Sequence, residues 1–198
     1  MAALLLISAA APAYNGFAQS SSNIHRAESA DLKLTDLMEL LGRKQRGTVR
    51  FRETRHFARL KEEIVVTGTM SFQKPDRLTR IVEQPRWEQI EVAGNEVTIT
   101  TARQDQARTI QLSEFPALNG MIVALRATLT GNESQLLEVF AIHLLGTREE
   151  WRLQLFPRAS AIQEKIAGIE ISGRNDRPTR FALNQRNGDR IMIDLSEQ

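Results

Sequence analysis

Residues 64–78, I-V-V-T-G-T-M-S-F-Q-K-P-D-R-L, limit the folds open to this chain more than any other segment. Ile64, Val66, Met70 and Phe72 share one phase with Gly68, while Thr67, Thr69 and Ser71 hold the other. A period of two with one apolar side describes a strand that is wet on one face only. The pattern recurs. In 48–57, Val49, Phe51 and Phe57 alternate with Arg50, Arg52 and His56, and residues 77–84 continue as strand up to Pro85. E-Q-I-E-V and V-T-I-T flank Gly94-Asn95, a two-residue hairpin signal. Further strands are expected at 108–112, 140–145, 169–171, 180–184 and 190–195, and where Trp151, Leu153 and Leu155 alternate with Arg152 and Gln154.

Two segments change period. Leu34, Leu37, Met38 and Leu41 fall on one helical face within 31–42, ahead of Gly42. Leu118, Met121, Ile122, Leu125 and Leu129 do the same, with Pro116 near the start and Gly131 past the end. Residues 159–166 fit a short helix or an irregular crossing. About ten short strands and two main helices, with turns at antiparallel spacing, imply one α+β domain: a strongly curved sheet with a helix packed on it.

The first residues, M-A-A-L-L-L-I-S-A-A-A-P-A, read as a secretory signal peptide over 1–18, too short and Ala-rich for a membrane span. Cleavage after Ala18 or Ala13 leaves small residues at the required positions, although no Lys or Arg precedes the apolar run. Residues 19–30 form a polar lead-in, and 31–198 the single domain. Without cysteine, neither a disulfide framework nor a lipid-modified cysteine is available. These features point to a periplasmic protein. A net charge of +2 and 6% aromatic residues argue against a nucleic-acid partner. The basic run from Arg43 to Lys61 reads as a solvated strand face, or more sharply as a docking surface for an acidic partner or anionic headgroups.

Catalytic signatures are scarce. His25, His56 and His143 lack metal-ligand spacing, with His56 and His143 expected on outward strand positions. The sequence holds no nucleophile elbow and no phosphate-cradling glycine loop. No enzyme activity, cofactor or metal is expected. A sheet curved into a partial barrel leaves an interior, and the 118–129 helix decides whether that interior is core or cavity.

The order of segments resembles the LolA-like periplasmic outer-membrane lipoprotein carriers. The resemblance runs from the first helix into the basic-aromatic strand, then G-T-M-S-F-Q-K-P-D-R-L, Gln84-Pro85 and V-A-G-N-E-V. The apolar helix, W-R-L-Q-L-F-P-R and I-E-I-S-G follow, with a closing strand pair. It implies an incomplete antiparallel β-barrel with a helical lid that holds the acyl chains of a lipoprotein or lipid. It also implies an inner-membrane exporter and an outer-membrane acceptor as partners, with the carrier itself a monomer. Met70, Phe72, Leu78, Leu118, Met121, Ile122, Leu125 and Trp151 are the expected cavity or lid positions. Lys74 is the candidate for a rim role, at a strand-end position before proline where relatives carry Arg. That Lys, and a chain that gives only Ser196-Glu197-Gln198 where well-studied carriers continue, match a divergent branch better. The alternative is an envelope sensor or regulatory protein-binding module on the same architecture.

Overall fold

The computed structural model describes residues 32–59, 61–102 and 107–197. The expected signal peptide and lead-in lie outside the described residues. Helix α1 (Leu34–Leu41) opens the fold, and strands β1 (Arg46–His56), β2 (Ile64–Gln73), β3 (Arg77–Gln84), β4 (Glu88–Ala93), β5 (Glu96–Thr101) and β6 (Arg108–Gln111) follow. A 3-10 turn (Leu112–Glu114), helix α2 (Pro116–Thr130) and helix α3 (Glu133–Val139) come next. Strands β7 (Phe140–Gly146) and β8 (Trp151–Pro157), helix α4 (Ser160–Gln163), and strands β9 (Ile166–Arg174), β10 (Arg177–Gln185) and β11 (Arg190–Ser196) complete it.

All eleven strands join one antiparallel sheet in the order β6-β5-β4-β3-β2-β1-β11-β10-β9-β8-β7. The first and last strands pair in the middle, Phe51 opposite Leu195, so the sheet has two wings and two free edges, β6 and β7. Those edges are consecutive in sequence. A flat sheet of this width would separate them by about 48 Å, at roughly 4.8 Å per gap. The crossing between them runs through the 3-10 turn, α2 and α3, and α2, about 22 Å long at 1.5 Å per residue, packs on both wings. A helix in contact with both wings requires the sheet to curl around it, giving an incomplete barrel with α2 inside the curve.

Side-chain contacts agree with this geometry. Ala117, Met121, Ala124 and Ala127 of α2 pack into a core built with α1 and the β7–β11 wing, where Leu153, Leu155, Ile169, Ile171 and Phe181 are buried. Leu118, Ile122 and Leu129 pack instead on Phe72, Leu78, Val92, Val97 and Leu112 of the other wing, and Leu125 touches both cores. The expected helical face of α1 buries Leu37, Met38 and Leu41, as its spacing predicts. Its end meets the end of α2 backbone to backbone. A Cβ on Gly131, which sits at φ 71° as the α2 cap, would lie 2.3 Å from the Met38 carbonyl oxygen and 2.8 Å from Gly42 Cα.

Two local features depart from the sequence expectation. Residues 133–139 form α3, too short to show a helical period; Asn132 caps it by accepting the Gln135 N–H at 3.0 Å, and Leu136 is buried. Phe57 lies just past β1, which starts two residues earlier than expected.

Trp151 is fully buried opposite Gly173, and its Nε1–H donates to the Asn175 carbonyl at 2.9 Å. A Cβ on Gly173 would sit 2.2 Å from the indole ring and 2.4 Å from the Arg177 carbonyl oxygen. Gly173→Ala should thus overpack this core and lower stability by about 3 kcal/mol. Gly47→Ala, with nothing within 4 Å of the new methyl, should be neutral or slightly stabilising. Thermal unfolding of the two variants checks this; a Gly173→Ala midpoint equal to that of Gly47→Ala would refute the packing argument.

Candidate functional site

Residues directly opposite one another in an antiparallel sheet share a face, so the strand register traces the inner surface. Phe72, Leu78, Val92, Val97 and Ile110 form one row across β2 to β6. Four of these five are buried, and α2 lays Leu118, Ile122, Leu125 and Leu129 over the row. All four helix residues are only half-buried, whereas Ala124 and Ala127 on the opposite seam are fully buried.

The expected site residues therefore divide. Phe72, Leu78, Leu118, Ile122 and Leu125 meet in one cluster. Met70, half-buried, packs next to it on Phe51, Val66 and Val82 in the middle of the sheet. Trp151 lies in the core of the other wing, which Met121 also joins from α2. The helix thus spans the two groups, and its Leu125 belongs to both.

Lys74 stands where the helix ends converge. Its ammonium donates to the Gly42 carbonyl at the C-terminus of α1, the negative end of the helix dipole. It lines an open groove of about 640 Å³ together with Gln45, Asp76, Arg126, Thr130 and Asn132. Arg126, on α2, donates Nη1 to the Gly94 carbonyl at 2.7 Å, and Asp76 accepts the Gly94 N–H at 2.9 Å. Burial lowers the Arg126 pKa, and the Asp76 charge opposes that shift. The C-terminal half of α2 is thereby tied to the β4–β5 turn, while Lys74 ties α1 to the β2–β3 turn.

Sequence reasoning missed a further group on the inner face. Glu53, in phase with Phe51 on β1, is 4% exposed and paired to Arg80 Nη2 at 2.8 Å. Arg55 Nε also donates to Glu53, and Arg80 Nη1 lies 3.5 Å from Glu88. The Arg80 guanidinium rests 4.7 Å above the Phe51 ring. The available signal was positional: Glu53 and Arg55 continue the Val49, Phe51 phase, and Arg80 sits between Leu78 and Val82. The Arg50 and Arg52 side is the outer face, as expected, with Arg50 bonded to Glu83 at 2.9 Å. His56 and His143 are exposed.

A curled open sheet with a greasy concave face, covered by a helix that packs on both wings, defines a class of helix-lidded half-barrels. The chain belongs to the family described as outer membrane lipoprotein carrier protein LolA-like, whose model matches residues 26–190. Among solved structures it is similar to a LolA superfamily protein from Nitrosomonas europaea, at 11% identity, covering 83% of this chain and 90% of that one, with a TM-score of 0.48. A putative outer membrane lipoprotein-sorting protein domain from Vibrio parahaemolyticus matches at 8% identity, 83% and 89% coverage and a TM-score of 0.47. A DUF1329 family protein from Desulfovibrio piger matches at 11% identity, 82% and 88% coverage and a TM-score of 0.45. No curated protein matches the sequence.

If Lys74 fastens the helix ends, Lys74→Met should raise amide hydrogen exchange in α1 and in the last turn of α2. Stability should fall by roughly 1.5 kcal/mol, the range for a hydrogen bond to a charged group. Exchange unchanged in both helices would show that the ammonium holds nothing.

Proposed function

We propose that this protein is a soluble periplasmic carrier that shelters acyl chains of lipoproteins or lipids beneath α2 and moves them between the inner and outer membranes. Family membership supports this reading. The observation that carries it is the seam between α2 and the β2–β6 wing, where Leu118, Ile122, Leu125 and Leu129 are half-buried over buried Phe72, Leu78, Val92 and Val97. An alkyl chain offers the sheet the same surface as those side chains. Each methylene it buries contributes about 0.8 kcal/mol, so one long chain can offset the displacement of the helix.

In this reading Met70, Phe72, Leu78, Leu118, Met121, Ile122, Leu125 and Trp151 form or support the cavity and lid, and Lys74 acts at the rim as a closing latch. Residues 31–198 work as one domain after export removes 1–18. An exporter at the inner membrane loads the carrier and an acceptor at the outer membrane unloads it. No bond is made or broken.

Ile122→Asp places a charge in the seam. It should weaken binding of a fluorescent acyl probe by more than tenfold, while Arg50→Ala and Arg52→Ala on the outer face change it by less than about twofold. Equal losses from both kinds of variant would sink the cavity reading. Native mass spectrometry of gently purified protein should show bound lipid or lipoprotein.

A further inference from the structure

The helical lid does not cover the whole inner face. Around Phe51, Val66 and Val82 the hydrophobic side chains packed alongside, among the described residues, are Met70, Ile193 and Leu195, all from strands. What lies over Phe51 is a guanidinium, Arg80, held by Glu53. Four charges, Glu53, Arg55, Arg80 and Glu88, thus occupy inward positions whose neighbours in the same phase are Val66, Val82, Ile90 and Ile193.

Fold stability alone gives no reason for this arrangement. Charges withdrawn from water lose hydration that their mutual attraction scarcely restores, and apolar residues of similar volume serve a core as well or better. The network is also graded. Glu53 is buried with a side-chain exposure of 5% and takes both arginines. Arg55 and Glu88 are 36% exposed, and the Arg80–Glu88 contact, at 3.5 Å, is the longest of the three. Beside Arg55 on β2, Ile64 is 42% exposed, so this end of the inner face opens to solvent.

We propose that Arg55 and Arg80 form the seat for an anionic head, a carboxylate or phosphate, carried on an acyl chain that lies under α2. The inference rests on the acyl-carrier reading and adds the chemistry of the cargo. Glu53 fixes the two guanidinium groups, and Glu88 occupies Arg80 until the head replaces it. With Glu88 displaced, two cations face one fixed carboxylate, leaving one positive charge for the incoming anion. Guanidinium suits this task because its planar fork binds a two-oxygen anion in bidentate fashion. The path is continuous: Leu78, under the lid, is two residues before Arg80 on the same face of β3.

The test compares a long-chain fatty acid, the uncharged alcohol of the same length, and acetate alone, by calorimetry on the mature chain. The wild type should bind the acid about tenfold more tightly than the alcohol and should not bind acetate measurably. Arg55→Gln should bring the acid-to-alcohol ratio close to one, Glu88→Gln should raise it, and Arg52→Gln on the outer face should leave it as in the wild type. Equal affinity for acid and alcohol in the wild type, or the same ratio in Arg55→Gln, overturns the head-group seat while leaving the carrier reading intact. Acetate bound as tightly as the acid also overturns it, by showing a site for free anions. If neither long-chain ligand binds, the carrier reading itself fails.

Discussion

The architecture depends on one contact pattern: α2, in the crossing between the two free edges of the eleven-stranded sheet, packs apolar side chains on both wings at once. One helix can touch both wings only if the sheet wraps around it, which exposes α2 to apolar surface on both sides. The residues of α2 respond unequally. Small side chains, Gly120, Ala124 and Ala127, face α1, α4 and the β7–β11 wing, and a Cβ on Gly120 would already come within 3.1 Å of Ile162. Close approach there removes the gaps that would let the helix slide. Met121 and Val123 join the small residues on that side, half-buried, while Leu118, Ile122 and Leu129, also half-buried, face the other wing. The closest approach of the helix is thus on the side of α1, α4 and the β7–β11 wing, and its contact with the other wing is made by larger side chains over Phe72 and Leu78.

Much of this was legible in the sequence, for a physical reason. Strand alternation and helical spacing are one-dimensional records of which side of an element is dry, and β2, the β4–β5 hairpin and the Leu118 to Leu129 stripe carry them without interruption. Partnership between elements leaves no such record. Trp151 alternates correctly, yet only the β8–β9 register reveals that it lies over Gly173 and in the wing away from Phe72. Arg126 looks like a polar residue within an apolar helix until the fold brings Gly94 to it.

The charges on the inner face show where pattern reading fails in kind. Glu53 and Arg55 extend the phase of Val49 and Phe51, but a charged residue in a strand is ordinarily taken as solvated. Their burial depends on Arg80, two strands away and diagonal to Glu53 across β2, since Arg80 pairs with Met70 while Glu53 pairs with Val66. The Met70–Arg80 register is set by the β2–β3 turn, and the pairing shifts only beyond it, between Thr67 and Gly68. Gly68 lets the strands approach closely there: a Cβ would strike the Ile81 carbonyl oxygen at 1.9 Å and press on the Phe51 ring at 3.0 Å.

These features divide β2 by environment along its length. Lys74, just past one end, binds the α1 terminus where the lid is fastened. Phe72 and Met70 follow inward under or beside α2, and Val66, near the other end, pairs with Glu53 in the ionic group. The apolar run from Phe72 to Val66 spans about 20 Å at 3.3 Å per residue, comparable to an extended acyl chain. A cation marks each end of that run. At the lidded end the positive charge is used up on a helix carbonyl, an internal partner that stays in place while the lid is shut. At the open end Arg55 shares the buried Glu53 with Arg80, and the more exposed Glu88 makes the longest contact, to Arg80. An anion arriving from solvent competes more easily with a half-exposed carboxylate at 3.5 Å than with a backbone carbonyl under a packed helix, and this difference in burial is what gives the proposed cargo its direction, chain inward and head outward.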